Sequence, residues 1–342
     1  MTLLGLIIAV FLVLIIITLM ETSKIEARLQ GVSEKEHLPT SSENEINSFL
    51  FFGFFIVLLI MYGVLIYKFG GHLHFVNESA SEHGESIVNP LMQLNFFIIN
   101  LVFLIVGGLL FWFIWKYRGS KGHKALFYPS NTRLELTLTS IVSAGLTVII
   151  LLGLTAWKKI MIDPPEKPLV IEITGRQFNW IVRYGGLDNK IGKASVFNIS
   201  SSNPYGIDFT DSAAFDDIVV TDTLCLPAGK EVLFLIRSLD VIHSPYLPHF
   251  AVQMNAVPGM ITSFHFVSRL TTMQMRAIRQ DPNFDYVLLC NKICGAAHYN
   301  MQMKVVVVSP DEFADWLARR KTINGNTISP GLAKKLINEN IS

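Results

Sequence analysis

Cys290, Cys294, His298 and Met301 fall at intervals of four, four and three in the run Cys290-Asn291-Lys292-Ile293-Cys294-Gly295-Ala296-Ala297-His298-Tyr299-Asn300-Met301. Two thiolates, an imidazole and a thioether form a donor set of soft sulfur and borderline nitrogen. That set favours copper. A second imidazole, His243, lies upstream in Asp240-Val241-Ile242-His243-Ser244-Pro245 and is the natural fifth side chain. A loop that turns Cys290 and Cys294 to one side, with Gly295 at its bend, can lay both sulfurs across a pair of metal ions. Each thiolate would then bridge, and one electron shared over two coppers would reorganise its surroundings less. A single copper or a zinc is the chemical rival. Zinc prefers His, Cys, Asp or Glu in a closed tetrahedron, so Met301 speaks against it, although Met301 and Met303 could also be packing residues. A Cys290–Cys294 disulfide is a further alternative. Cys225, in an alternating apolar run, reads as a buried thiol, and His249 and His265 read as non-ligands. No Cys-x-x-Cys-His occurs, so the chain carries no covalently attached c-type haem of its own.

The elements that must hold such a site begin in a membrane. The chain has 342 residues, 51% of them hydrophobic, and a mean hydropathy of +0.42. Its net charge of +1 gives no basic field for nucleic acid. Four apolar segments approach the ~20 residues needed to span a bilayer: Leu3 to Met20, Phe49 to Tyr67, Phe96 to Trp115 and Leu136 to Trp157. The first could instead be a cleaved signal peptide, but it lacks a basic leading segment and a clean small-residue cleavage site. Trp112, Trp115 and Trp157 suit the headgroup zone. Lys116, Arg118, Lys121, Lys124 and Arg133 make the loop between the third and fourth spans cytoplasmic. Residues 158–342 then lie outside, with the 68–95 loop and Met1 outside and the 21–48 loop inside.

Beyond Trp157 the pattern changes. Asp163-Pro164-Pro165-Glu166-Lys167-Pro168 is a linker, because proline ends the helix and stiffens the exit. Short β-like runs follow: 170–174, 178–184, 217–226 and 230–236 flanking the turn Pro227-Ala228-Gly229, then 249–253, 261–267, 286–289 and 303–308. Such runs with Gly and Pro punctuation suggest a β-sandwich or barrel. Ser309 to Arg320 closes as a helix, with Ser309 as cap, Pro310 in the first turn and Glu312 completing a capping box; Phe313, Trp316 and Leu317 form its apolar stripe. Residues from Lys321 onward read as a polar tail. Asp208, Asp211, Asp216, Asp217 and Asp222 form either a solvated loop or a rim that steers a basic partner.

The residues from about 95 to 320 resemble subunit II of haem-copper cytochrome c oxidases. Cys290-x-x-x-Cys294-Gly295-x-x-His298-x-x-Met301 is similar to that family's copper signature. Asp240-Val241-Ile242-His243-Ser244 and Asn255-Ala256-Val257-Pro258-Gly259 match its first-histidine loop. Gly175-x-Gln177-x-x-Trp180 looks like its aromatic segment, and Asn131-x-x-Leu134-Glu135 precedes the last span as in its two-helix hairpin. The resemblance implies a membrane α-helical part, with two extra spans in residues 1–94 and a hairpin over 95–157. An all-β cupredoxin-like Greek-key domain follows over 158–320, and then the 321–342 tail. It implies a binuclear copper A centre, with Cys290 and Cys294 bridging and His243 and His298 supplying imidazoles. Met301 and the Lys292 backbone carbonyl would be weak axial ligands. Electrons would arrive from cytochrome c or a cytochrome-containing donor complex and leave for haem in subunit I. Oxygen reduction would occur in that other chain, with subunit III in the same complex. The location would be a bacterial inner membrane, with the copper domain on the periplasmic face. Phe178, Trp180 and Asp240 would serve electron transfer and docking, and Glu135 would stand at a proton-channel entrance.

The departures from the family pattern carry their own expectations. The family usually has glutamate where Lys292 stands, and that glutamate contributes to a magnesium or manganese site. A protonated ammonium has no lone pair to offer a cation, so the shared second metal is in doubt. Phe178 replaces the family's electron-accepting tryptophan, Met260 stands where arginine is frequent, and Thr271 to Asp281 looks like an insertion. A dedicated partner complex in place of freely diffusing cytochrome c would fit these changes. The rival functions are a copper A subunit of another terminal reductase, a membrane-anchored copper-delivery or assembly protein, and a quinol-oxidase subunit that has lost its copper.

Overall fold

The structure is a computed structural model that describes residues 41–70, 79–124, 126–162 and 166–341. The segment Leu3 to Met20, with its two alternative readings, lies outside the described residues. Among the described residues there are three long helices. Helix α1 is Ser41–Phe69. Helix α2 is Asn89–Lys116, entered through a wider turn at Gly84–Val88. Helix α3 is Thr132–Trp157, continued by a similar turn at Lys158–Ile162. All three are long and apolar enough to cross a membrane. They outrun the apolar segments that announced them, because helical hydrogen bonding continues into the polar flanks. Helix α3 starts where a side chain satisfies free amides: Asn131 Oδ1 accepts the Leu134 N–H at 3.0 Å, and Glu135 Oε1 accepts the Asn131 N–H at 3.3 Å.

The chain divides into two compact units. In the first, within residues 41–66 and 101–130, Phe55 stacks on Phe111 with ring centroids 4.3 Å apart. The second unit holds the start of α2 up to Asn100, all of α3, and the β domain. Its strands are β1 (Leu169–Arg176), β2 (Asn179–Tyr184), β3 (Ile218–Val220), β4 (Thr223–Pro227), β5 (Glu231–Ser238), β6 (Pro245–Leu247), β7 (Val252–Gln253), β8 (Thr262–Val267), β9 (Tyr286–Cys290) and β10 (Gln302–Val308). One sheet runs β3-β2-β1-β5-β8 and the other β4-β10-β9-β6-β7. The pairs β1–β5 and β4–β10 are parallel and the rest antiparallel. Strand β5 shows the driving pattern: Val232, Phe234 and Ile236 alternate inward and are fully buried. They share one core with Trp180, Tyr184, Leu224, Phe250 and Tyr286.

Several expectations needed correction. The run 217–226 is not one strand: it breaks at Thr221-Asp222 into β3 and β4, which belong to different sheets. Pro227-Ala228-Gly229 therefore carries the chain across the sandwich instead of closing a hairpin. Strand β6 was not foreseen, because three residues are too few to show a period. Residues 249–253 are mostly a 3-10 turn at Pro248–Phe250, which ends on left-handed Ala251 (φ 53°), followed by the two-residue β7. Thr271–Asp281 forms helix α4 (Thr272–Arg279), closed by a Thr271–Gln274 capping box, with Met275 buried in the core.

Helix α5 (Pro310–Ala318) has the expected Ser309–Glu312 capping box. The polar tail is not a tail. Helix α6 (Pro330–Lys335), with a wider turn at Leu336–Asn340, packs Ile328, Ala333, Leu336, Ile337 and Ile341 into the core. The Lys230 Nζ donates to the Ile341 carbonyl at 2.8 Å. Its apolar residues are too irregularly spaced to announce a face. Of the five aspartates singled out, Asp217 turns inward, whereas Asp222 is exposed. Asp217 is fully buried, 3.1 Å from Arg183 Nη1, and burial pushes its carboxyl up to about 7 against the pull of Arg183. Asp208 accepts the Thr210 N–H of its own turn, while Asp211 and Asp216 accept the N–H groups of Lys193 and Leu187 from a neighbouring loop.

Candidate metal centre

His243 sits between β5 and β6, where its backbone exchanges two hydrogen bonds with Ala256, at 3.1 and 2.9 Å. The imidazole is fully buried. Gly175, at the end of β1, makes room for it: a Cβ there would lie 2.8–3.0 Å from the ring and Cβ of His243. Asp240 fixes the ring. Its Oδ1 lies 2.8 Å from His243 Nε2, while the same carboxylate accepts the N–H groups of Gln177 and Val241, each at 2.7 Å. Burial raises the Asp240 carboxyl. The Gln177 N–H, the His243 imidazole and the Val241 N–H outweigh it and hold the group below the ordinary carboxylate range. With Nε2 engaged as donor, the Nδ1 lone pair faces the cysteines, the arrangement that orients a metal-binding imidazole.

The second half of the site is the loop after β9. The Asn291 N–H donates to the Ser244 carbonyl at 2.9 Å, stitching it to the His243 loop, and the Cys290 N–H donates to the Met301 carbonyl at 3.1 Å. The Gln177 side-chain amide donates to the Cys294 carbonyl. Gly295 has φ +143°, and any Cβ there would meet the Phe178 ring and the Gln177 amide at 2.8 Å. A 3-10 turn at His298–Asn300 brings the chain back.

The result is a convergence of donors. Cys290 Sγ is 3.9 Å from Cys294 Sγ, 3.8 Å from His243 Nδ1 and 3.3 Å from the Lys292 carbonyl oxygen. Cys294 Sγ is 3.5 Å from His298 Nδ1 and 3.7 Å from Met301 Sδ. The ligand atoms of His243, Cys290 and Cys294 all lie within 4.8 Å of one another. Both cysteines are free thiols. Burial, together with the neighbouring Cys290 thiol, pushes Cys294 up to about 11. Cys294 therefore stays protonated until a cation takes the place of its proton. Two sulfurs, two imidazole nitrogens, a thioether and a carbonyl facing one small volume suit a soft cation, and copper fits them.

The other singled-out residues fall elsewhere. Trp180 is 1% exposed, beneath His243 with ring centroids 5.9 Å apart, so it cannot meet a donor at the surface. Phe178 is half-buried against the loop at Gly295. Asp240 spends its carboxylate on His243 and two amides and is not simply a docking charge. Glu135 is exposed and closes the cap of α3. The Lys292 side chain is exposed. His249 packs on Phe284 and Tyr286, and His265 pairs with Glu231 at 2.9 Å. The supporting roles of Gly175 and Gln177 were not anticipated, though both belong to the Gly175-x-Gln177-x-x-Trp180 run. Exposed Val241, Ile242, Ile293 and Tyr299 flank the site in sequence and were not anticipated either.

Membrane helices leading into a β-sandwich with a Cys/His cluster define a membrane-anchored, cupredoxin-like protein with a candidate metal site. Comparisons with known proteins narrow this. Residues 169–309 match the model of the cytochrome C oxidase subunit II periplasmic domain. The alternative cytochrome c oxidase subunit 2 of Bradyrhizobium diazoefficiens is 34% identical over 239 residues, covering 70% of this chain and 82% of that protein. The cytochrome c oxidase subunit 2 of Cereibacter sphaeroides is 25% identical over 248 residues, covering 68% and 76%. Among solved structures, the periplasmic domain of subunit II of cytochrome oxidase from Bradyrhizobium japonicum is 24% identical, covering 44% of this chain and 92% of its own, with a TM-score of 0.30. The chain belongs to the cytochrome c oxidase subunit II family and is thus part of an oxidoreductase complex. Three spans ahead of a periplasmic-type domain make it a multi-pass membrane protein with the β domain facing outward.

Proposed function

We infer that this chain is the electron-accepting subunit of a haem-copper oxidase and holds a binuclear copper A centre. The thiolates of Cys290 and Cys294 would hold the metal pair. His243 and His298 each supply an Nδ1, and Met301 and the Lys292 carbonyl are the weak ligands. When bound, the two coppers take up and release one electron at a time between a donor cytochrome and the haem of subunit I. The protein's own part is to hold the donors before the metal arrives: Asp240 sets the His243 ring, Gln177 and Gly295 set the Cys294 turn, and the buried β ends keep water away. The observation that carries the reading is the meeting of all six donor groups around two thiols 3.9 Å apart. Subunits I and III and cytochrome c, or a cytochrome-containing donor complex, are the partners on this reading, in a bacterial inner membrane. The shared magnesium or manganese site is not retained through residue 292, because an ammonium stands where a carboxylate would be needed. Phe178 is the aromatic contact for the donor, and Glu135 serves the proton-channel entrance. Residues 1–94 are an added membrane section, 95–157 the hairpin and 158–320 the copper domain, with 321–341 as its closing segment.

The test is copper content and electron spin resonance of the purified full chain loaded with copper. Two coppers per chain and one unpaired electron split by two equivalent copper nuclei are expected. A single copper with hyperfine structure from one nucleus would overturn the binuclear assignment.

A further inference from the structure

Far from the copper loop, a second polar cluster sits where the β domain meets the helix ends. The continuous helical stretches Gly84–Lys116 and Thr132–Ile162 have 33 and 31 residues. At ~1.5 Å per residue they reach roughly 45–50 Å, against ~30 Å of hydrocarbon. Their ends beside the β domain therefore stand at headgroup level, where Trp157 and Lys159 belong. Residues 79–84 are strapped onto the β domain. The Ala80 N–H donates to the His249 carbonyl at 2.7 Å, the Arg269 N–H to the Ala80 carbonyl at 2.6 Å, and Ser81 Oγ to the Phe250 carbonyl.

Two adjoining clefts run along this junction. The lower, about 360 Å³, lies between the helix ends and is lined by Leu91, Leu94, Leu152 and Ala156, with Lys159 at its upper end. The upper, about 180 Å³, shares Lys159 and is lined by Glu82, His83, Glu231 and His265. Each imidazole in it has one nitrogen engaged. His265 Nδ1 donates to Glu231 Oε1 at 2.9 Å, and His83 Nε2 donates to the Ala251 carbonyl at 3.2 Å. The other nitrogens, His265 Nε2 and His83 Nδ1, are buried and have no hydrogen-bond partner among the described residues. Burial also pulls the His83 imidazole down, toward its neutral form. A buried acceptor left unpaired costs about 1–3 kcal/mol. The upper cleft thus calls for an N–H donor, beside the Glu82 carboxylate. The junction offers a cation, and the lower cleft offers apolar surface at acyl-chain depth.

We propose that these clefts bind one phospholipid with a primary amine headgroup from the outer leaflet. Its ammonium donates to the free nitrogens of His83 and His265, its phosphate meets Lys159, and an acyl chain lies along Leu91, Leu94, Leu152 and Ala156. The order of acceptor, cation and apolar groove matches the order of ammonium, phosphate and chain in phosphatidylethanolamine. A choline headgroup has the same charge but no N–H to give.

The test uses the intact oxidase complex in nanodiscs made either of phosphatidylethanolamine with phosphatidylglycerol, or of phosphatidylcholine with phosphatidylglycerol. Lipid still bound after detergent extraction is counted by native mass spectrometry. One retained phosphatidylethanolamine is expected, favoured over phosphatidylcholine by about tenfold, the worth of a charge-assisted hydrogen bond. His83→Leu with His265→Leu should erase that preference at unchanged copper content, and Lys159→Gln should weaken retention of both lipids. Equal retention of the two headgroups, preference for phosphatidylglycerol, no retained lipid because another subunit covers the groove, or a metal ion on the two histidines would each overturn the proposal. The headgroup comparison on the unaltered complex decides it even if the double variant fails to fold.

Discussion

Among the described residues, the cluster of Cys290, Cys294, His298, Met301 and His243 and the pair His83 and His265 differ in how their donor atoms are held. At the copper loop, five side chains approach to 3.5–3.9 Å of a neighbouring donor, and each is fixed by a backbone or carboxylate tie. At the helix–domain junction, His83 and His265 are oriented just as firmly, by Ala251 and Glu231, yet no third ligand joins them in a metal-sized group among the described residues. An oriented imidazole is therefore not enough to make a metal site. Convergence of soft donors is what separates the two, and it comes from a loop folded against a second loop.

The comparison breaks first at the cysteines. On the proposed binuclear reading, Cys290→Ser or Cys294→Ser replaces a metal-holding thiolate with a neutral hydroxyl. Bound copper should fall from two per chain to one or none, and donor oxidation to background, while circular dichroism stays that of the folded domain. The next effect is at Asp240. Asp240→Asn removes the carboxylate that orients His243, and about 10–100-fold of copper affinity should go with it in competition titrations. If only the low-salt rate with the donor changed, Asp240 would be a docking charge after all.

Acidity should act on the same site. Burial and Cys290 hold the Cys294 proton up to about 11, so copper must release at least one proton to bind. Apparent affinity should rise with pH by about tenfold per unit at least, below that value. A pH-independent affinity would mean the cysteines are not the ligands. Gly175→Ala sharpens the packing side of the contrast: its methyl would collide with the His243 ring. A stability loss of about 2 kcal/mol by denaturant unfolding is expected, with reduced copper loading. The mildest change belongs to the other cluster. His265→Leu should leave copper stoichiometry untouched and cost about 1 kcal/mol, for the lost hydrogen bond to Glu231. Loss of copper from that variant would show the two clusters to be coupled.

Much of the site could be read in the chain because four of its donors lie within one loop, where spacing alone limits what they can reach. Cys290, Cys294, His298 and Met301 carry their proximity in their numbers. His243 is 47 residues upstream of Cys290; it was chosen as the fifth side chain for its imidazole beside a proline-bearing loop, and no short spacing ties it to the others. Trp180 shows the opposite failure. Its place in an aromatic motif suggested a role in electron entry or docking, but β2 is buried from Trp180 to Tyr184 and Trp180 lies in the core. The 321–341 segment looked polar because Ile328, Leu336, Ile337 and Ile341 are scattered among charges, and only a neighbouring surface could gather them.

By itself, the sequence determined the membrane spans it could read, the β character of the outer half and the soft donor set. These depend on composition and on spacing within a few residues. The tertiary structure alone decided that β3 and β4 part between two sheets, that Asp240 serves His243, that Gly175 and Gln177 shape the site, and that His83 comes to the same cleft as His265. Each of these depends on contacts between segments far apart in the chain. Such contacts are set by how two sheets bury their faces together, and no local period records that.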